Sequence, residues 1–580
     1  MASDLRGPRY VTQYFSSSAL LPDLIMIGSY ASKFVPAVRA PSSNLSAATF
    51  GTISRRIQEC DETHMNCWSH SSQFLEAEMR YLPTRVVHVG SATRQPHLYI
   101  SQTHQSDRYI ALSHCWGKTP QVRTLNENIE LFREEIILGS LSKTFQDAIH
   151  VARRLGIEYI WIDSLCIIQD DKTDWLQESE RMGDVYANAY VTIAATWASD
   201  GNDGLDSVRP QCSWFKFPFD GSDEGDGYMW FTDGSWRTET DLDDAPLNQR
   251  GWVFQEKTLS QRIIHYAASQ VYWECKEYLL GEECEGGNTF HGEPLEPSLF
   301  WTKINAISHI RAIPIERNND LRDTGFPRSP LGELYGSWRT FVRYYCTRKF
   351  TKQSDRLIAL LGIIRIVEKR TGLRCVDGHW DDGSWHFVRE LTWFSKAQRT
   401  LPVLDGDRRS RLCSSWSWAS LEGPTEPEST DHLVGAWEDY GLKDCSLQLK
   451  AIKDEAHFPW PCHPLEVSGM LRTFSKCEST GDRDEHRRRR TFVVETEVSG
   501  VADGWVCFDR EDEQPEMLHF SPIHVRNWII TCLALVQRPE SEGRNCCFER
   551  VGMGYICPSG SECESMESFE ACERSVFYII

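Results

Sequence analysis

Three dense blocks, in order between residues 109 and 275, constrain this chain more than anything else in it. They read Tyr109-Ile-Ala-Leu-Ser-His-Cys-Trp-Gly117, Tyr159-Ile-Trp-Ile-Asp-Ser-Leu-Cys-Ile-Ile-Gln-Asp170, and Arg250-Gly-Trp-Val-Phe-Gln-Glu256 running on to Tyr272-Trp-Glu-Cys275. In the first two, an apolar strand-like run breaks abruptly into polar, aromatic and Gly residues. Short buried strands of a parallel sheet read this way, and open α/β sheets bind ligands just outside the carboxyl ends of their strands. The intervening periodicity agrees. Tyr109 to Ser113, Tyr159 to Ile162 and Tyr190 to Ala195 are predicted strands. Thr144 is expected to cap a helix with Phe145, Ala148, Ile149, Ala152 and Leu155 on one face, ended by Gly156. Asp174 is expected to cap the next, with Trp175, Met182, Val185, Tyr186 and Ala189 at helical spacing. Strands alternating with helices imply a parallel sheet covered on both faces.

A Gly- and Asp-rich stretch from Ser199 to Asp244 interrupts the rhythm and reads as an insertion holding a hairpin around Tyr228 to Phe231. A helix near Gly251 to Ser260 and a strand from Gln270 to Glu274 follow, then helices at Leu331 to Tyr345 and Asp355 to Arg370, then mixed or β-rich segments. A chain of 580 residues needs more than one core. The expected division is 1–80, irregular then helical; 81–290, the motif domain; and 291–580, helical then β-rich.

The formal charge of −21 argues against general nucleic-acid binding, which needs a basic face. Arg487 to Arg490 is the basic exception; with Asp482, Asp484 and Glu485 beside it, it reads as a solvated loop, the alternative being a localisation or nucleic-acid patch. The apolar stretch near Leu20 to Ile27 is broken by Pro22 and Asp23, and no run approaches the length of a membrane span. The expectation is therefore a cytoplasmic protein whose 20 scattered cysteines are reduced thiols. Cys60-x3-His64-x2-Cys67 has three quarters of a zinc site, but no fourth ligand stands at a familiar spacing, and it is read as a packed helical turn. The cluster Cys546, Cys547, Cys557, Cys563 and Cys572 lacks paired spacing, so no metal is expected.

In such a parallel sheet the ends of the first three strands would gather His114 to Lys118, Asp163 to Asp171 and Thr196 to Gly204 along one edge, and the first two loops carry Trp116, Gly117, Lys118 and Asp163. Gly117 would let a ligand approach the backbone, Trp116 offers a stacking face, and Lys118 could meet a phosphate. Alternatively, Trp116 plugs the sheet edge and Asp163 caps the next turn. Trp252 and Glu256, four apart on a helix, share a face. A carboxylate beside an indole can hold a sugar hydroxyl or steady positive charge on a ribose; the alternative is an ion pair with Arg250 or Arg262. Ser113, His114 and Cys115 are neighbours on a strand and point to opposite faces, Cys166 has no nucleophile elbow, and no GxGxxG is present. Hydrolase triads and redox Rossmann chemistry are thereby set aside.

Together the blocks resemble the fungal heterokaryon-incompatibility (HET) domain, closely over about residues 80 to 290. Leu82-Pro-Thr-Arg85, Ser354-Asp-Arg-Leu-Ile-Ala-Leu-Leu-Gly-Ile363 and Ser415-Trp-Ser-Trp-Ala-Ser420 extend the resemblance. HET domains are similar in turn to the Toll/interleukin-1-receptor (TIR) domain. That likeness implies an α/β fold, a flavodoxin-like parallel sheet flanked by helices, with a C-terminal α+β region beyond it. Some TIR domains cleave NAD, using a glutamate that follows a Trp on the helix after the third strand. Trp252-x3-Glu256 looks like that element, with Glu256 as the catalytic residue; Glu178 and Glu180 rank below it, since an early covering helix usually turns its acids to solvent. The resemblance implies an effector of fungal self/non-self recognition and programmed cell death. It would take NAD as substrate with no bound cofactor, and a protein partner or its own copies would trigger it. The alternative it leaves is a non-enzymatic signalling or assembly module.

Overall fold

In this computed structural model the strand runs of the blocks lie side by side in one mixed sheet. The structure describes residues 24–25, 41–64, 67, 81–209, 214–219, 227–232, 239–282, 330–353, 355–381, 385–395, 414–420, 425–427, 448–451, 464–474, 476–483, 490–495, 504–508, 517–526, 529–538, 546–556 and 574–580. Cys557, Cys563, Cys572 and Arg487 lie outside them. The chain divides into two units, Met1–Gln249 with Glu256–Trp301, and Arg250–Gln255 with Thr302–Ile580.

The first unit is built on eight strands: β1 (Arg85–His88), β2 (His97–Ile100), β3 (Tyr109–Ser113), β4 (Tyr159–Trp161), β5 (Val191–Ala194), β6 (Arg262–Tyr266), β7 (Val271–Cys275) and β8 (Leu279–Gly281). Their spatial order is β8-β7-β6-β5-β3-β4-β1-β2. The central β4, β3, β5 and β6 are parallel, whereas β1, β2, β7 and β8 pair antiparallel at the two edges. An all-parallel sheet was expected. The edges differ because β1–β2, β6–β7 and β7–β8 are joined by short turns, which allow only antiparallel neighbours. Every residue of β3, β4, β5 and β6 is buried, the pattern of strands covered on both faces.

Three helices of this unit follow from their sequences. In α1 (Ala47–Thr63) the Ser46 side chain accepts from the Thr49 amide, and Phe50, Ile53, Ile57 and Cys60 form the buried stripe. Helix α2 (Lys143–Arg154) buries Phe145, Ala148, Ile149 and Ala152. Its cap position is Ser142 rather than Thr144, which lies inside the first turn, and Gly156 turns the chain at φ +70°. In α3 (Lys172–Asn188) Asp171, not Asp174, is the cap: its carboxylate accepts from the Thr173 and Asp174 amides. Asp174 is drawn instead to Arg85, at 2.6 Å. The expected hairpin is present as Trp214–Phe219 paired with Gly227–Thr232. Helix α4 (Gly251–Leu259) supplies Gly251–Gln255 to the second unit and Glu256–Leu259 to the first.

The second unit combines helices with a ten-stranded sheet. Trp338, Phe341 and Tyr345 on the helix Pro330–Tyr345 stack into an aromatic core with Trp380, Phe350 and Trp418. The helix expected over Asp355 to Arg370 is two, Asp355–Ile358 and Leu361–Thr371.

Candidate functional site at the strand ends

The loops leaving β3, β4 and β5 are tied to one another. The Trp116 indole N–H donates to Asp163 Oδ2 at 2.7 Å, and buried His114 places Nε2 3.7 Å from Asp163 Oδ1. Asp163 opens the short helix Asp163–Cys166 and accepts from the Ser164 amide at 2.7 Å. On the other side, the Lys118 and Thr119 amides donate to Asp200 Oδ2 at 2.9 and 3.0 Å. The Thr119 amide foremost, then those of Asn202 and Lys118, hold the Asp200 carboxyl below the usual range. Gly117 makes the approach feasible. It sits at φ +66°, and a Cβ there would lie 2.2 Å from Asp200 Oδ2. The amides expected to cradle a phosphate beside Lys118 thus already hold an internal carboxylate, while the Lys118 side chain is exposed.

Glu256 is 5% exposed, on α4. The Leu247 amide reaches the Thr196 carbonyl at the carboxyl end of β5, and Ser260 Oγ lies 2.7 Å from Thr192 Oγ1 near its amino end. Glu256 lies one turn before Ser260, on the helix that leads into the amino end of β6, whereas the loops that carry Trp116, Gly117 and Asp163 leave the carboxyl ends of β3 and β4. Trp252 is committed within the second unit, its indole N–H donating to Asp355 Oδ2 at 3.2 Å. Gly251 is required there, since a Cβ would fall 1.9 Å from the Phe350 ring.

The match to known families runs from the first residue of β3 to this acid: the family model Heterokaryon incompatibility protein (HET) matches residues 109–256. The chain carries a HET domain. Neither the curated proteins nor the solved structures contain a match to it.

The first unit holds three arrangements that sequence reasoning missed. At the carboxyl end of β6, His265 Nε2 lies 2.7 Å from Glu274 Oε2 and Nδ1 lies 3.3 Å from Thr196 Oγ1, all buried. Burial pushes His265 below the ordinary histidine value, against the pull of Glu274. Glu274 stands in the third block, which was its only signal. Second, Glu178 on α3 is 4% exposed, not turned to solvent as expected, and burial raises its pKa. Third, at the opposite end of the sheet, Cys60, His64 and Cys67 meet Cys275, the last residue of β7, with all four ligand atoms within 4.8 Å of one another. Contact with Cys275, with burial, pushes the Cys67 thiol up. A cleft of about 340 Å³, lined by Arg108, Glu158 and Tyr190 among others, lies toward the amino ends of β3, β4 and β5 and shares no residue with the strand-end loops. Among the described residues no helix is long and apolar enough to cross a membrane.

Proposed function

We propose that this HET protein is an effector of fungal self/non-self recognition that kills by cleaving the nicotinamide–ribose bond of NAD, with Glu256 as the essential carboxylate. The observation that carries the reading is a buried acid on the helix that precedes the fourth parallel strand, in a parallel set ordered β4-β3-β5-β6. Counted from β3, that order is 2-1-3-4, the order of a flavodoxin-like sheet, whose ligands sit where neighbouring strands diverge, here between β3 and β5. The loops after those strands are the ones Asp200 joins.

The chemistry asks for little machinery. The C1′–N bond of the nicotinamide riboside breaks, and its electron pair returns to the ring nitrogen to give neutral nicotinamide. Glu256 steadies the oxocarbenium-like ribose, as glycosidase carboxylates do. Water adds to C1′ and loses a proton, leaving ADP-ribose. Asp200 on the Lys118 and Thr119 amides favours a resting state in which the phosphate cradle is closed, so activation would withdraw that carboxylate. The same closed loops support a second reading, a non-enzymatic module that acts by assembly.

The purified full chain, concentrated or forced into oligomers, is incubated with NAD. Release of nicotinamide and ADP-ribose, lost in Glu256→Gln with unchanged circular dichroism, is the expected result. Release that persists in Glu256→Gln removes the assigned role of the acid, and no release from any assembled form favours the assembly reading.

A further inference from the structure

We propose that Cys60, His64, Cys67 and Cys275 bind one structural zinc ion, which fastens α1 and Cys67 after it to the end of β7. Three thiols and an imidazole make a Cys3His donor set, one of the common closed zinc spheres. Tetrahedral zinc with Zn–S of about 2.3 Å sets neighbouring sulfurs about 3.8 Å apart, which the 4.8 Å limit on all four donors accommodates. Cys275 Sγ is 3.5 Å from His64 Nδ1. Cys60, Cys67 and Cys275 are 0%, 1% and 4% exposed, so the donors face one another rather than water.

The surroundings suit thiolates on a cation. After β7 the chain turns tightly, the Cys275 amide donating to the Tyr278 carbonyl at 2.9 Å. Within that turn the Lys276 amide donates to Cys67, and the Glu277 and Tyr278 amides donate to Cys275. Amide donation to metal-bound sulfur is an outer-shell contact that orients ligands and spreads their charge. Arg262, at the start of β6, donates from Nε to Cys60 Sγ at 3.2 Å and pairs with Asp61 at 2.6 Å. Three thiolates, one neutral imidazole and Zn2+ leave one net negative charge; Asp61 balances Arg262, and the remaining charge is spread over sulfurs that accept from the Arg262 Nε–H and the turn's amides. The Tyr278 ring packs edge-on to His64, with centroids 4.8 Å apart, and fixes the imidazole plane. Four protein donors leave no open position, so the ion holds structure and activates no water.

The test uses the full chain purified without chelator under reducing conditions. Elemental analysis should find about one zinc per chain, and exchange for Co2+ should give the thiolate charge-transfer and intense visible bands of a tetrahedral sulfur-rich site. Cys275→Ser should lower zinc content at least about tenfold relative to Cys546→Ser, whose cysteine is exposed and outside the cluster. Should Cys275→Ser fail to fold, the Co2+ spectrum of the unaltered chain decides. A folded chain that neither carries nor takes up Zn2+ or Co2+ overturns the proposal, as does a disulfide joining two of the three cysteines in the freshly isolated protein.

Discussion

The two ends of the first unit's sheet solve opposite problems. At the carboxyl ends of the parallel strands, the polar groups satisfy one another: Trp116 donates to Asp163, and the Lys118 and Thr119 amides donate to Asp200. At the other end, three buried thiols and an imidazole converge on a point where sulfur meets sulfur. The first is a set of loops locked by their own carboxylates, which opens only if those carboxylates move. The second is a set of ligands whose mutual contact becomes favourable around a cation. What the contrast teaches is that the chemistry of the donors decides the reading: carboxylates meeting amides and an indole close a loop, whereas sulfurs and an imidazole meeting one another match the donor set of a soft cation.

The largest effect should come from the sulfur end. Removing metal with a strong chelator, or Cys275→Ser, should lower the thermal midpoint of the first unit by at least about 10 °C, read by calorimetry, because structural zinc contributes folding energy directly. An unchanged midpoint would put the two ends on the same footing. Next is Gly117→Ala. Its φ of +66° and the 2.2 Å approach to Asp200 should together cost about 1–3 kcal/mol in urea unfolding, and no measurable cost would mean that the Asp200 staple is not formed in solution. Trp116→Phe keeps an aromatic side chain, though a smaller one, and removes the donor to Asp163, for an expected loss of about 1 kcal/mol or somewhat more with metal content unchanged.

Acid should act more gradually, through the loop end. His265 is held neutral below the ordinary histidine value by burial. Below about pH 6.5 the unfolded chain takes up the proton and the folded one does not, so the stability this residue contributes is full at neutral pH and declines as pH falls. His265→Gln should flatten that part of the pH profile, and an identical slope in the variant would assign the acid sensitivity elsewhere.

Much of this was legible in the chain, for physical reasons that differ by place. The strands β3, β4 and β5 announce themselves because buried parallel strands must be continuously apolar, and Gly117 stands where the backbone turns. The helix starts were displaced by a few residues. Ser142 and Asp171 cap where Thr144 and Asp174 were expected, because Asp174 is drawn to Arg85, a partner distant in sequence. The loop from Thr196 to Gly204 was expected beside the Gly117 loop, but Asp200 sits in a Gly- and Asp-rich stretch that gave no sign of which acid would meet the Lys118 and Thr119 amides. Glu178 was assigned to solvent because local spacing does not reveal which side of α3 the Thr84–Arg85 edge covers. Cys275 is the sharpest case. It lies 211 residues beyond His64, and antiparallel pairing of β7 with β6 carries it to the end of α1. Spacing rules for zinc ligands assume donors close in sequence, and here the sheet supplies the proximity.

The function proposed for the loop end is tested most directly inside cells. Intracellular NAD and viability are followed together after induced expression of the unaltered chain and of Glu256→Gln at matched levels. The account predicts that NAD falls before viability does, and that both are spared in Glu256→Gln. Death at the same rate in both strains, with NAD undiminished, would contradict it.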